Sequence, residues 1–375
     1  MLKTVSFILL FCFIYCDDAY STSIIRDSEV EAIVKELARP LFHAAGLDDK
    51  KIKVLIVRDN SINAFVVNNE SIFINLGLLR YSTEPYVLLG ILAHEIAHIS
   101  AGHILQMNSA MNHFKSVAMM SYALGLISGI AVDPQIASAI LLGGVTLGTG
   151  LFFYYSQEQE SIADSYALRY LDESGYDNIG MKEAFSYFKS IEPEITGWYF
   201  RTHPLSDKRL FAVQNYKVKN KIRPLTSEQL SKFKRIVMKL DAFFTPIHML
   251  SSKYQGNSKY INAIIYYRQG RIDDATELIN SLAQDDPYLY ELKAEMLYKS
   301  GRLDAAIENY EKSLQYLSNN NSYLVKLALS HTLLLNGNTK KAISYLKQII
   351  AIEQNDALAL KYLKAAYKRN SKNNS

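Results

Sequence analysis

The sequence predicts a mostly α-helical chain with a small β-sheet near its start and an α-solenoid at its end. Three observations lead there. Strand-like alternation is confined to residues 52–75, helical periodicity fills most of the chain beyond residue 83, and a glycine-centred segment recurs at Gly270, Gly301 and Gly337, spacings of 31 and 36. With 375 residues, 49% apolar and 21% charged, the chain has material for two or three domains and is not a disordered polymer. Its 41 basic and 37 acidic residues leave a net charge of only +4, spread along the chain, so no nucleic-acid partner is expected. Cys12 and Cys16 both fall in the first sixteen residues, which excludes a disulfide framework and a four-cysteine zinc ribbon.

Taken in order, Lys3 and the uncharged run Thr4 to Cys16, closed by Asp17-Asp18 and followed by Ala19-Tyr20-Ser21, have the form of an export signal. Residues 1–21 are therefore expected to be a signal peptide and the working compartment the periplasm. Residues 28–48 read as a helix broken at Pro40. Residues 52–57 read as a strand, and 64–67 and 71–75 as a hairpin turning at Asn68-Asn69. Thr83-Glu84-Pro85 opens a strong helix that is expected to run on through 106.

Residues 116–157 carry a single charge, Asp133, and Asp133-Pro134 divides the segment into two apolar stretches. One reading is a membrane-spanning hairpin over 116–155. The other is a helical hairpin that is buried or touches a membrane surface. The shortness of the first stretch and the glycines of both favour the second. From about 255 to 370 the pattern is one of paired helices. A Gly sits in each tight turn and an Ala five residues later (Ala275, Ala306, Ala342) packs where the helices cross. The period matches tetratricopeptide repeats, with 226–254 as linking helices and Ser318–Asn321 as a polar loop insertion. Such arrays dock proteins.

The chemistry centres on His94-Glu95-Ile96-Ala97-His98. A spacing of four on a helix stacks the two imidazoles on one face, suited to one zinc ion, and sets Glu95 beside them as a general base. A third ligand is needed. On a continuing helix His103 is turned about 140° from His98 and reads as structural. Glu160 is the better candidate. Asp164 shares its helical face and can accept a hydrogen bond from a ligand histidine, whereas Glu158 points elsewhere as a surface acid.

HEIAH, Glu160-x-x-Ala163-Asp164 and the segment Thr202-His203-Pro204 to Leu210 together resemble the gluzincin zinc metallopeptidases that include HtpX and the CAAX prenyl endopeptidase. The resemblance covers about residues 50–212. It implies a zincin-type metalloprotease domain over 22–225, followed by the repeats, and one Zn2+ per chain held by His94, His98 and Glu160. In the same resemblance Glu95 is the base, Asp164 supports a ligand, His203 occupies the open metal position at rest, and Arg209 assists at the oxyanion or the substrate carbonyl. With an export signal and repeats it further implies an endopeptidase acting on unfolded or stalled outer-membrane proteins, with chaperone-like assistance and with the barrel-assembly machinery as partner of the repeats. Two other functions are compatible with the residues: a repeat adaptor whose metal site is silent, and an integral-membrane metalloprotease.

Overall fold

A computed structural model describes residues 24–106, 157–191, 203, 205–254, 258–282, 285–317, 322–354 and 356–373. The expected signal peptide (1–21), the apolar hairpin (116–155), Thr202, Pro204 and the 318–321 insertion lie outside them. The chain forms two compact units: Val34–Lys234 make one, and Ile25–Ile33 with Arg235–Ser375 make the other. Among the described residues no helix is long and apolar enough to cross a membrane.

The first unit is built on β2 Lys53–Val57, β3 Ala64–Asn68 and β4 Ser71–Asn75, strands of a sheet ordered β1-β2-β4-β3 whose β1 is Ile24–Ile25. β3 and β4 form the expected antiparallel hairpin, turned by the Asn68 carboxamide accepting from the Glu70 amide at 2.9 Å; β2 runs parallel to β4. Alternation gives Val54, Ile56, Ala64, Val66, Ile72 and Ile74 to the core. On the opposite face Phe65 lies directly across from Phe73, and the rings stack at 5.1 Å. Helix α1 (Ser28–Ala44) does not break at Pro40. Leu37, Ala38, Leu41 and Phe42, on both sides of the proline, are fully buried, and their packing outweighs the one lost backbone hydrogen bond.

After the short α2 (Leu76–Tyr81), α3 (Pro85–Ser100) runs through the middle of this unit with Val87 to Ile99 all buried. It packs against α4 (Gln157–Glu173), α5 (Ile179–Ile191) and the edge strand β3. Where α3 crosses α5 the backbones nearly touch. A Cβ on Gly90 would fall 2.5 Å from the Met181 nitrogen, and one on Gly180 would fall 1.9 Å from the Tyr86 carbonyl, so neither position admits a side chain. α6 (Asp207–Asn215), capped by Ser206, packs on α4 and α5.

The second unit is a run of helix pairs. α7 (Ser227–Phe244) and α8 (Ile247–Tyr254) lead to α9 (Lys259–Arg268) with α10 (Ile272–Asn280), α11 (Pro287–Lys299) with α12 (Leu303–Tyr316), α13 (Tyr323–Leu335) with α14 (Thr339–Ile352), and α15 (Ala357–Asn373). Gly270, Gly301 and Gly337 have φ of +78°, +79° and +84° in the intra-pair turns, and Ala275, Ala306 and Ala342 are fully buried. Asp286 caps α11 ahead of Pro287, as its place between repeats predicts. The start of α1 is tied into this unit by charge. Buried Lys239 lies 2.8 Å from Asp27 and 3.1 Å from Glu29, Arg235 bridges Glu29 and Asp286, and the Ser28 hydroxyl donates to Glu291.

That cluster makes the second unit sensitive to pH. Burial pushes half-buried Glu291 up to about 8 and Glu295 up to about 7, with Lys239 opposing and Asp27 adding to the shift. The folded state thus keeps protons that unfolded glutamates release at about 4.3. The stability these groups contribute is intact below that pH and is lost as pH rises through about 7 to 8. Urea denaturation followed by circular dichroism should show this unit weakening from about pH 5 to about pH 9, and Glu291→Gln should flatten the decline. An unchanged slope in the variant contradicts the assignment.

Candidate metal centre

The site grows from the crossing of α3 and α4. Because α3 is buried on every side, His94, Glu95 and His98 are held at 1%, 0% and 0% exposure, out of reach of bulk water. α4 faces them with Glu160 and Asp164, one turn apart; Ala163 and Ala167, both fully buried, let the helices close together. Glu158 is exposed on the far side of α4. His203 comes from the segment between α5 and α6, and Arg209 from the first turn of α6; both are buried.

The polar atoms converge. His94 Nε2 and His98 Nε2 are 3.0 Å apart, His98 Nε2 is 3.2 Å from Glu160 Oε1, and His94 Nε2 is 3.4 Å from Glu160 Oε2. His203 Nδ1 joins them, 3.0 Å from Glu160 Oε1 and 3.3 Å from His94 Nε2. One ligand atom from each of these four residues lies within 4.8 Å of the other three, an arrangement able to hold a metal ion. Behind His94, Asp164 Oδ1 lies 3.0 Å from Nδ1. Glu95 Oε1 is 3.5 Å from His203 Nε2, yet among the described residues neither oxygen of this buried carboxylate has a hydrogen-bond partner.

Two family models match the chain: peptidase family M48 over residues 25–217, and the tetratricopeptide repeat over 297–372. The chain belongs to peptidase family M48. It is a metalloendopeptidase in class, with tetratricopeptide repeats in its C-terminal part. Among curated proteins it is 23% identical to the beta-barrel assembly-enhancing protease of Yersinia pestis, over 90% of this chain and 72% of that one. It is 26% identical to the protein of the same name from Escherichia coli K12, over 57% of this chain and 44% of that one. It is 23% identical to the mitochondrial metalloendopeptidase OMA1 of Schizosaccharomyces pombe, over 52% of this chain and 55% of that one. The chain thus spans less than half the length of the Escherichia coli relative.

M48 peptidases are metal-dependent, and the donor set here fits a cation. Among the described residues, three buried carboxylates, Glu95, Glu160 and Asp164, lie at the site with one buried guanidinium, Arg209. With neutral imidazoles that leaves a deficit of two positive charges, which a divalent ion supplies. Burial alone would lower His94, but Glu160 and Asp164 outweigh it and hold His94 up to about 10. Burial dominates at His98 and pushes it well down. Glu160 is depressed despite burial because His203 and His94 stand beside it. Glu95 is raised by burial, a direction that suits a carboxylate acting as base near neutral pH.

One placement differs from what spacing alone suggests. A continuing helix would point His103 away from the site. Instead α3 ends at Ser100, Gly102 turns left-handed at φ +69°, and buried His103 comes back with Nδ1 3.0 Å from His98 Nδ1. Arg209 donates from Nε and Nη2 to Asp164 at 2.6 and 2.9 Å, and its Nη1 is 2.7 Å from Glu160 Oε2, with Phe185 beneath the guanidinium at 5.3 Å. That fork clamps the two carboxylates of α4. Arg209→Ala should therefore leave buried charge uncompensated and cost about 3–5 kcal/mol in urea denaturation of chelator-treated protein. A loss below about 1 kcal/mol, the size of an exposed ion pair, contradicts the clamp.

Proposed function

We propose that the chain is a zinc-dependent endopeptidase of the cell envelope that hydrolyses misassembled outer-membrane proteins. The observation that carries the reading is the convergence of His94, His98 and Glu160 beside a Glu95 carboxylate whose oxygens have no hydrogen-bond partner among the described residues. Two imidazoles and a carboxylate on adjacent helices suit zinc, which takes nitrogen and oxygen donors in a tetrahedral set with one position open.

When bound, zinc polarises a scissile carbonyl and lowers the pKa of a water. His94, His98 and Glu160 would hold the ion, and Asp164 would keep the proton of His94 on Nδ1 so that Nε2 faces the cluster. Glu95 takes a proton from the attacking water and delivers it to the departing amine nitrogen. β3, last in the sheet order and packed along α3, offers a backbone edge on which an extended substrate segment can pair. His203 belongs to the resting state. Its Nδ1 stands among the ligand atoms, so it would be a fourth donor to the ion and would have to withdraw before a substrate carbonyl and water enter.

The compartment and substrates rest on the sequence and on the names of the relatives. Residues 1–21 direct export to the periplasm and are removed. Residues 22–225 are the protease domain, and 226–254 link it to the repeats at 255–370. The repeats dock stalled outer-membrane proteins or the barrel-assembly machinery, and chaperone-like assistance accompanies cleavage.

Glu95→Gln removes the base and no ligand. It should retain one zinc per chain while cleavage of unfolded casein falls at least about 100-fold. His203→Ala should retain zinc and cleave faster than wild type. Wild-type cleavage by Glu95→Gln would falsify the mechanism; zinc loss in His203→Ala with no gain in cleavage would remove the resting-state role.

A further inference from the structure

The two imidazoles that face the proposed zinc have different supports. Behind His94 stands the Asp164 carboxylate. Behind His98 stands another imidazole, with the Nδ1 atoms of His98 and His103 3.0 Å apart and the two rings inclined at 68°. We propose that His103 is a positioning residue that fixes the tautomer and ring orientation of His98, as Asp164 does for His94. This inference rests on the ligand set proposed above.

The protons dictate the direction of the bond. His98 Nε2 points into the cluster, 3.0 Å from His94 Nε2 and 3.2 Å from Glu160 Oε1. A neutral imidazole that offers the Nε2 lone pair to a cation carries its proton on Nδ1. At 0% exposure that N–H has no bulk water to meet. His103 Nδ1 lies within hydrogen-bond distance and accepts it, which places the proton of His103 on its own Nε2. An acceptor behind a ligand imidazole makes the ligand more basic and stops the ring from turning.

The backbone is shaped for this contact. Had α3 continued, a residue five beyond His98 would lie about 140° round the helix, away from the site. The helix stops at Ser100 instead, and Gly102 at φ +69° reverses the chain. Among the described residues nothing lies within 4 Å of where a Cβ on Gly102 would sit, so the dihedral, not crowding, requires glycine. The turn brings a polar side chain to 2% exposure, which is costly unless it is hydrogen-bonded.

Cobalt(II) and zinc binding to the full chain, measured by competition with a chelator, tests the proposal with three variants. His98→Ala should abolish tight binding; if it binds like wild type, the ligand set is wrong and this inference falls with it. Once that loss is seen, His103→Leu should weaken binding roughly 10–100-fold and shift the cobalt d–d bands. His103→Asn, whose amide oxygen reaches the place of Nδ1, should stay within about threefold of wild type with an unshifted spectrum. If His103→Leu does not fold, His103→Gln replaces it, since its amide reaches the place of Nε2 and not of Nδ1. Wild-type affinity and spectrum in the Leu or Gln variant, or an Asn variant as impaired as they are, overturns the positioning role and leaves the ligand set standing.

Discussion

Three carboxylates buried beside one guanidinium are the constraint on which the first unit is organised. Removing Glu95, Glu160 and Asp164 from water costs several kcal/mol each, and Arg209 offsets only part of it. Glu160 and Asp164 hold the His94 imidazole up to about 10 against its own burial. A divalent cation among these donors would supply the missing positive charge. The same burial that makes the cluster expensive makes it useful, because charges shielded from water act on a substrate with little screening.

The fold meets this constraint by bringing two helices close and keeping them there. Ala93 and Ala97 on α3 and Ala163 and Ala167 on α4 are fully buried, so no bulky side chain separates the histidines from the acids. On another side Gly90 and Gly180 let α5 lie backbone to backbone against α3. The ends of two helices also serve the site: α3 gives way to the Gly102 turn so that His103 can return, and α6 starts after Ser206 so that Arg209 can reach back to α4. The repeat unit follows a different rule. Each helix pair packs on its neighbours through separate small cores, and left-handed glycines close the pairs.

Much of this is legible in residue spacing. HEIAH states its own geometry once a helix is granted, because four residues return to the same face. Glu160 and Asp164 follow the same rule, and the repeated Gly and Ala positions mark the turns and crossings of the solenoid. Spacing misses whatever depends on a single dihedral or on a distant partner. Periodicity misplaces His103 because it assumes that the helix goes on, and one left-handed glycine ends it. Propensity makes Pro40 a break because it does not see that Leu37 and Phe42 are buried on either side of it. The double grip of Arg209 on Glu160 and Asp164, and the contacts of Asp27 and Glu29 with Lys239, join residues 45 to more than 200 positions apart and leave no local trace.

The central claim is that α3 and α4 together hold one zinc ion. Anomalous diffraction at the zinc edge from crystals of the resting full chain tests it most directly. The account predicts a single strong peak per chain, about 2.0–2.2 Å from His94 Nε2, His98 Nε2 and a Glu160 oxygen, with a His203 nitrogen as the fourth neighbour. A peak centred elsewhere, or zinc-loaded protein in which Glu160 stands clear of the metal, would contradict it.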